Sequence, residues 1–346
     1  MDIVLGSKRN VIKRFYDKWY HPKNMAVVMV GDIDPKYAKE VITKYFDVKT
    51  DREYTERPEY KLSEMKENKY LVFKDKELSY VMFDMINVTP LDRYDGRAYY
   101  KKLLFTGILQ DRFIRKVKSG KTSLIDGGFY DSKYGDQQLN TYYTLLNKNK
   151  ISEGIKESIE ILKDLAVNKV TQQELNIQKE NIRNLFELSV KAKDSITSSH
   201  IIKSVREVFL NDDVFINSSD NLKYYNEMVD SITPQEISQM AVEFYNSKKV
   251  SLLFAPEIEG VKVPDGKELE NIIINQKKKA VKKGDKINYN LKLAKPKLVK
   301  GKVTKEKDLK TCKKFTLSNG IEFLYKKTDF EKDKIYIVFE KEEGTF

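Results

Sequence analysis

The segment Phe15 to Pro35, FYDKWYHPKNMAVVMVGDIDP, constrains this chain most, because a looser copy returns at Glu243 to Glu257, EFYNSKKVSLLFAPE. Each copy sets out the same parts: an aromatic helix end, a short turn, then an apolar run suited to a strand. Phe15-Tyr16 answers Phe244-Tyr245, and Ala26 to Val30 answers Ser251 to Ala255. Two such units more than 200 residues apart point to a duplicated domain, with only the tail of the first copy inside the chain.

The length of 346 residues suits two domains of ordinary size, and 40% hydrophobic with 11% aromatic residues suffices for packed cores. A net charge of +12 raises the question of nucleic acid, but much of the lysine excess follows Val261, where it solvates a linker rather than paving a folded face. No nucleic-acid partner is expected. The single cysteine, Cys312, excludes an internal disulfide framework and a cysteine-based zinc finger. No stretch reaches the ~20 apolar residues of a membrane span, so no membrane partner is expected. The opening MDIVLGSKRN lacks a secretory signal. An interior fragment leaves the compartment open, exported or cytoplasmic.

Val11, Ile12, Phe15 and Trp19 recur at helical spacing, and His21-Pro22 stops that helix. Met25 to Val30 reads as a strand buried on both faces, and Asp34-Pro35 opens a helix over Tyr37 to Phe46. After a polar connector, strands are expected at Tyr70–Phe73, Ser79–Val88, Leu124–Tyr130 and Leu139–Leu146, with a long helix from Thr89-Pro90 to Val117. Ile151, Ile155 and Ile159 mark an amphipathic helix. TQQE at Thr171–Glu174 and TPQE at Thr233–Glu236 are capping boxes. A further helix spans Ile196 to Leu210, and the domain closes on a strand at Val250–Phe254. The lysine-rich stretch 261–310 reads as a linker with one short helix around Leu269 to Ile274. KFTLSNGIEFLYKK then carries an Asn319-Gly320 hairpin signal, Ile335–Phe339 adds a strand, and the chain stops inside that unit. The expected fold class is α+β, a mainly antiparallel sheet with helices on one face.

With these parts placed, the chain resembles the M16 zinc metallopeptidases, the pitrilysin and insulin-degrading enzyme group. FYDKWYHPKNMAVVMVGDIDP is similar to the closing helix–turn–strand of their catalytic domain, and TLSNGIEFLYKKTDFEKDKIYIVFEKEEGTF to the opening of a third homologous domain. The resemblance implies four parts: residues 1–60 as the end of a first, catalytic-type domain; 61–260 as a complete non-catalytic domain; 261–310 as a hinge arm; and 311–346 as the start of a third domain. It implies a fragment of a zinc endopeptidase that degrades unfolded peptides in a closed chamber. Residues 61–260 would then be wall and scaffold, with the remaining M16 domains or a homologous subunit as partners. Zinc belongs to the parent family, whose His-x-x-Glu-His motif this sequence lacks.

No catalytic, cofactor-binding or metal-binding residue is therefore expected in this chain, and no cofactor of its own. His21 is followed by Pro22, Lys23, Asn24 and Met25, with no ligand spacing, and His200 stands alone on a helix. Gly127-Gly128 lacks the spacing of a phosphate cradle. Glu340, Glu342 and Glu343 read as a solvated strand end. The alternatives are a non-catalytic M16 subunit that partners an active chain and, more remotely, a basic nucleic-acid-binding module.

Overall fold

The computed structural model describes residues 5–56, 58, 60–91, 95–211, 214–281, 300–328, 335–338 and 340. It divides into two units, Met1–Gly284 and Asp285–Phe346.

The first unit opens with α1 (Arg9–Trp19), a single 3-10 turn at Pro22–Asn24 and α2 (Pro35–Phe46). The Asp34 carboxylate caps α2 through the amides of Lys36 and Tyr37, with Pro35 at the first helical position. These two helices bury one side chain between them, Ala38. The strand expected at Met25–Val30 does not form: Met25, Val27 and Met29 are exposed, and no neighbour pairs with this run among the described residues. An apolar run becomes a strand only when a partner ladder satisfies its N–H and C=O groups, which the local sequence cannot supply.

The core lies further along. Five strands, β1 (Lys69–Asp75), β2 (Val81–Pro90), β3 (Leu124–Tyr134), β4 (Gln137–Leu146) and β5 (Val250–Pro256), form one sheet in the order β1-β5-β2-β4-β3. All pairs are antiparallel except β1 with β5. Helices α3 (Gly96–Lys118), α4 (Ile151–Val167), α5 (Gln172–Lys191), α6 (Ser198–Asn211), α7 (Ser218–Val229) and α8 (Pro234–Asn246) accompany it. The α+β class and the mainly antiparallel sheet follow the sequence reading.

The long helix starts later than expected. Pro90 still belongs to β2, and Asp95 caps α3 by accepting from the Ala98 amide. The capping boxes at Thr171/Glu174 and Thr233/Glu236 form as read, with both reciprocal hydrogen bonds present. Glu174 serves a second purpose. Arg112 on α3 donates to both of its carboxylate oxygens at 3.0 and 3.1 Å, to Asp164 on α4 at 2.7 Å and to the Lys169 carbonyl at 3.0 Å. Three helices are thereby joined at one guanidinium. Burial would raise the Glu174 carboxyl, but the Arg112 hydrogen bonds and charge outweigh it and hold it below the ordinary range.

The lysine-rich stretch contains more structure than a linker. Helix α9 (Gly266–Lys278) starts on a capping box from Asp265 and Glu268 and buries Leu269 and Ile273 completely or nearly so. It packs on α4 and β1, so the core extends about 18 residues beyond residue 260.

The second unit holds a three-stranded antiparallel sheet, β6 (Val303–Leu309), β7 (Cys312–Leu317) and β8 (Glu322–Tyr325). The hairpin at Asn319-Gly320 forms with Gly320 at φ 86°, the left-handed conformation that a glycine takes without cost. β6 lies inside the stretch read as linker. Ile335–Val338 form no strand and are largely exposed, against expectation, because no partner strand lies beside them among the described residues. Phe339, Glu342 and Glu343 lie outside the described residues.

Candidate functional site: an apolar sheet face centred on Asp84

Register fixes which side chains share a face of the five-stranded sheet. On one face the rows read Tyr70–Ser251–Met85–Tyr142–Phe129 and Val72–Leu253–Phe83–Thr144–Gly127. This face carries the helices: Phe83, Met85, Tyr142, Leu253 and Phe129 all belong to the buried core cluster. Glycine at 127 lets α3 close onto β3, since a Cβ there would lie 2.5 Å from the Phe113 ring. Gly127 is thus a packing device.

The opposite face has three rows: Phe73–Phe254–Met82–Leu145–Asp126, Leu71–Leu252–Asp84–Tyr143–Gly128 and Lys69–Val250–Ile86–Thr141–Tyr130. An antiparallel sheet with one solvated face normally alternates apolar and polar residues. Here ten of the fifteen positions on the second face are apolar too, yet none of these apolar residues belongs to the core cluster or packs against it. Leu71, Phe73 and Tyr130 are exposed, Phe73 stacks on Phe254 at 5.4 Å, and Tyr130 leans on Tyr143 at 5.7 Å. A contiguous apolar surface of this kind makes the face a candidate interaction site.

Asp84 sits at its centre, on the middle strand and in the middle row. It is 4% exposed, and its Oδ1 is buried without a hydrogen-bond partner. Burial alone pushes its carboxyl up from 3.8 to about 6. Its cross-strand neighbours are Leu252 and Tyr143, and its neighbours along the strand on this face are Met82 and Ile86. Burial also raises Tyr143, and the Asp126 and Tyr130 charges add to that. The sequence reading missed this site. The signal was there: from Val81 to Ile86, VMFDMI, β2 is apolar on both alternating sets of positions except at Asp84.

The two histidines occupy other places. His21 is 4% exposed, and both ring nitrogens are engaged: Nδ1 accepts from the Lys23 amide and Nε2 lies 3.2 Å from the Arg52 carbonyl. Tyr54 packs on its ring at 5.4 Å. His200 is exposed near the start of α6. Cys312 lies in the second unit. Among the described residues no group of three or more His, Cys, Asp or Glu side chains could hold a metal ion. Among the described residues, no helix is long and apolar enough to cross a membrane.

Residues 8–182 match the family described as the peptidase M16 inactive domain. The chain belongs to this M16 family. It is similar to the "Probable zinc protease PqqL" of Haemophilus influenzae, 23% identical over 361 residues, which cover 97% of this chain and 37% of that protein. The crystal structure of the periplasmic protease PqqL from Escherichia coli matches with a TM-score of 0.69 at 16% identity, over 96% of this chain and 38% of that one. The ferredoxin protease FusC, solved in complex with Arabidopsis ferredoxin, matches with a TM-score of 0.65 at 15% identity, over 95% of this chain and 38% of its own. This chain therefore spans little more than a third of the M16 relatives it resembles. The relatives are named zinc proteases, but the described residues do not fit zinc: one histidine has both nitrogens occupied and the other stands alone.

Proposed function

We propose that this chain is a catalytically inactive part of an M16-type zinc endopeptidase, and that its uncovered sheet face is a wall against which unfolded polypeptide is held. The observation that carries this reading is the five-stranded apolar face centred on Asp84, which packs on nothing within the core. A chamber that encloses unfolded chains needs such a surface, because exposed apolar side chains are what an unfolded polypeptide offers. FusC, of the same fold, is in complex with a protein, which supports a polypeptide occupant here.

The domain order supports the same reading. Residues 1–60 are the end of one M16 module, 61 to about 279 a complete non-catalytic module closed by α9, and 311–346 the opening of another. Val11, Ile12, Phe15 and Tyr16 of α1 are each more than 40% exposed, and Met25–Val30 is unpaired among the described residues. Further M16 modules, in the same polypeptide or a homologous subunit, supply the strands that this run pairs with. The zinc and its His-x-x-Glu-His helix reside there too.

Purified as it stands, the chain binds an unfolded, fluorescently tagged polypeptide but does not cleave it and takes up no stoichiometric zinc. Leu252→Ser with Phe254→Ser weakens that binding several-fold while leaving the melting temperature within a few degrees. Absence of binding, or binding indifferent to this pair, refutes the wall. Chelator-sensitive peptidase activity with tight zinc refutes the inactive assignment.

A further inference from the structure

The apolar wall contains one group that does not belong on a purely hydrophobic surface. Asp84 occupies its central position, is buried to 4% exposure, and holds a buried Oδ1 that nothing among the described residues hydrogen-bonds. A buried acceptor left unmade costs about 1–3 kcal/mol, and more when charged. The surroundings give no internal relief. Leu252 and Tyr143 flank Asp84 across the strands, Met82 and Ile86 along its own, and Asp126 and Tyr130 stand on neighbouring rows of β3. None of these is a cation. Lys69 stands at the end of the third row, two strands away.

We infer that Asp84 is a specificity residue: it pairs with the side chain of a lysine or arginine in an extended polypeptide laid against this face. The inference rests on the wall reading and names its substrate chemistry. Lysine and arginine carry an aliphatic stem that packs on apolar neighbours and a terminal donor that reaches a carboxylate. Leu252, Met82 and Ile86 accept the stem, and the Asp84 carboxylate, whose Oδ1 is closed to solvent in the unbound fold, accepts the hydrogen bond once these side chains part around it. An acidic side chain would set two carboxylates together in a dry site. An apolar one would leave Oδ1 buried with no partner. A divalent metal ion needs several oxygen ligands, and the row offers one carboxylate between a leucine and a tyrosine. The basic side chain alone satisfies the charge, the orphaned oxygen and the apolar rim together.

The test uses the whole chain and three labelled ten-residue peptides of alternating apolar and polar residues that differ at one central position: lysine, norleucine or glutamate. Binding is followed by fluorescence anisotropy at pH 7.5 for the wild type and for Asp84→Asn, whose side chain matches in size. The lysine peptide binds the wild type about tenfold more tightly than the norleucine peptide. In Asp84→Asn that preference collapses to within about twofold while norleucine binding is retained. Bulk attraction cannot mimic this result, because the chain carries a net charge of +12 and repels the lysine peptide. Equal binding of lysine and norleucine peptides by the wild type overturns the inference and leaves the wall standing. A lysine preference that survives Asp84→Asn overturns the assignment to Asp84. Failure of all three peptides to bind overturns the wall and the inference together. The wild-type comparison decides the matter even where the variant does not fold.

Discussion

Replacing Asp84 by asparagine removes a buried ionisable group at nearly constant volume, and the structure fixes the sign and size of the result. The folded-state carboxyl titrates near 6 against 3.8 for the ordinary group, with burial as the cause. The folded chain therefore holds this proton more tightly than the unfolded chain. The contribution of Asp84 to stability is fully present below pH 3.8 and is lost as the pH rises through about 6. At 1.36 kcal/mol per decade, the loss amounts to ~3 kcal/mol at neutral pH and above. Asparagine stays neutral and suffers no such loss. Urea denaturation of both proteins should show near-equal stability at pH 4, with Asp84→Asn more stable by ~2–3 kcal/mol at pH 8. Circular dichroism is the right probe, since the one tryptophan, Trp19, lies on α1 and not on a strand of the sheet. The other titrating groups are common to both proteins and cancel in the difference. A difference independent of pH, or a variant less stable at pH 8 than at pH 4 relative to wild type, would show that the ionised carboxylate has a partner and would refute the reasoning.

Arg112→Ala should cost about 1.5–3 kcal/mol in thermal or chemical denaturation, because Glu174, 5% exposed, loses its bidentate partner and keeps only Arg115 at 3.4 Å and the Thr171 hydrogen bonds. With its folded value held below 4.5, Glu174 stabilises the fold above that pH and loses its contribution as the pH falls through the folded value; Arg112→Ala should flatten this acid-side loss. Gly127→Ala drives a methyl to within 2.5 Å of the Phe113 ring and should cost about 1–3 kcal/mol, whereas Gly31→Ala, with open space around it, should fall within about 0.5 kcal/mol by the same denaturation assay. Lys249 is 2% exposed, and burial, then Lys277 and Lys248, pull it down to about 7. Its contribution is fully present above pH 10.5 and declines as the pH falls towards 7, so wild type should gain stability relative to Lys249→Met between pH 7 and pH 10 in parallel denaturation curves.

What could be read from residues alone came from short-range physics. Thr171 with Glu174, and Thr233 with Glu236, announce helix starts because the two side chains of a capping box lie three positions apart and satisfy each other's amides. Asn319-Gly320 announces its hairpin because one residue must enter the left-handed region. The alternation in β4 and the isoleucine spacing of α4 likewise depend on neighbours a few positions away. The family resemblance rests on strings of such signals in order, and the match over residues 8–182 bears it out.

Tertiary structure decided everything that depends on distant partners. Met25–Val30 has the composition of a strand, yet among the described residues no ladder meets it, while the similar run at Val250–Pro256 is paired on both sides by β1 and β2. Helix α9 resembles linker by its lysines, but Leu269 and Ile273 find α4 and β1 and turn it into core. Asp84 is a lone acid in an apolar string until β5 and β4 close on either side and place it at the centre of an uncovered face. The sequence alone set where the two capping-box helices begin, where a hairpin turns and which residues prefer to leave water. The fold alone decided which of those residues are sheltered and which are left facing outward, because hydrogen-bond ladders and buried contacts join segments that chain order keeps more than 180 residues apart.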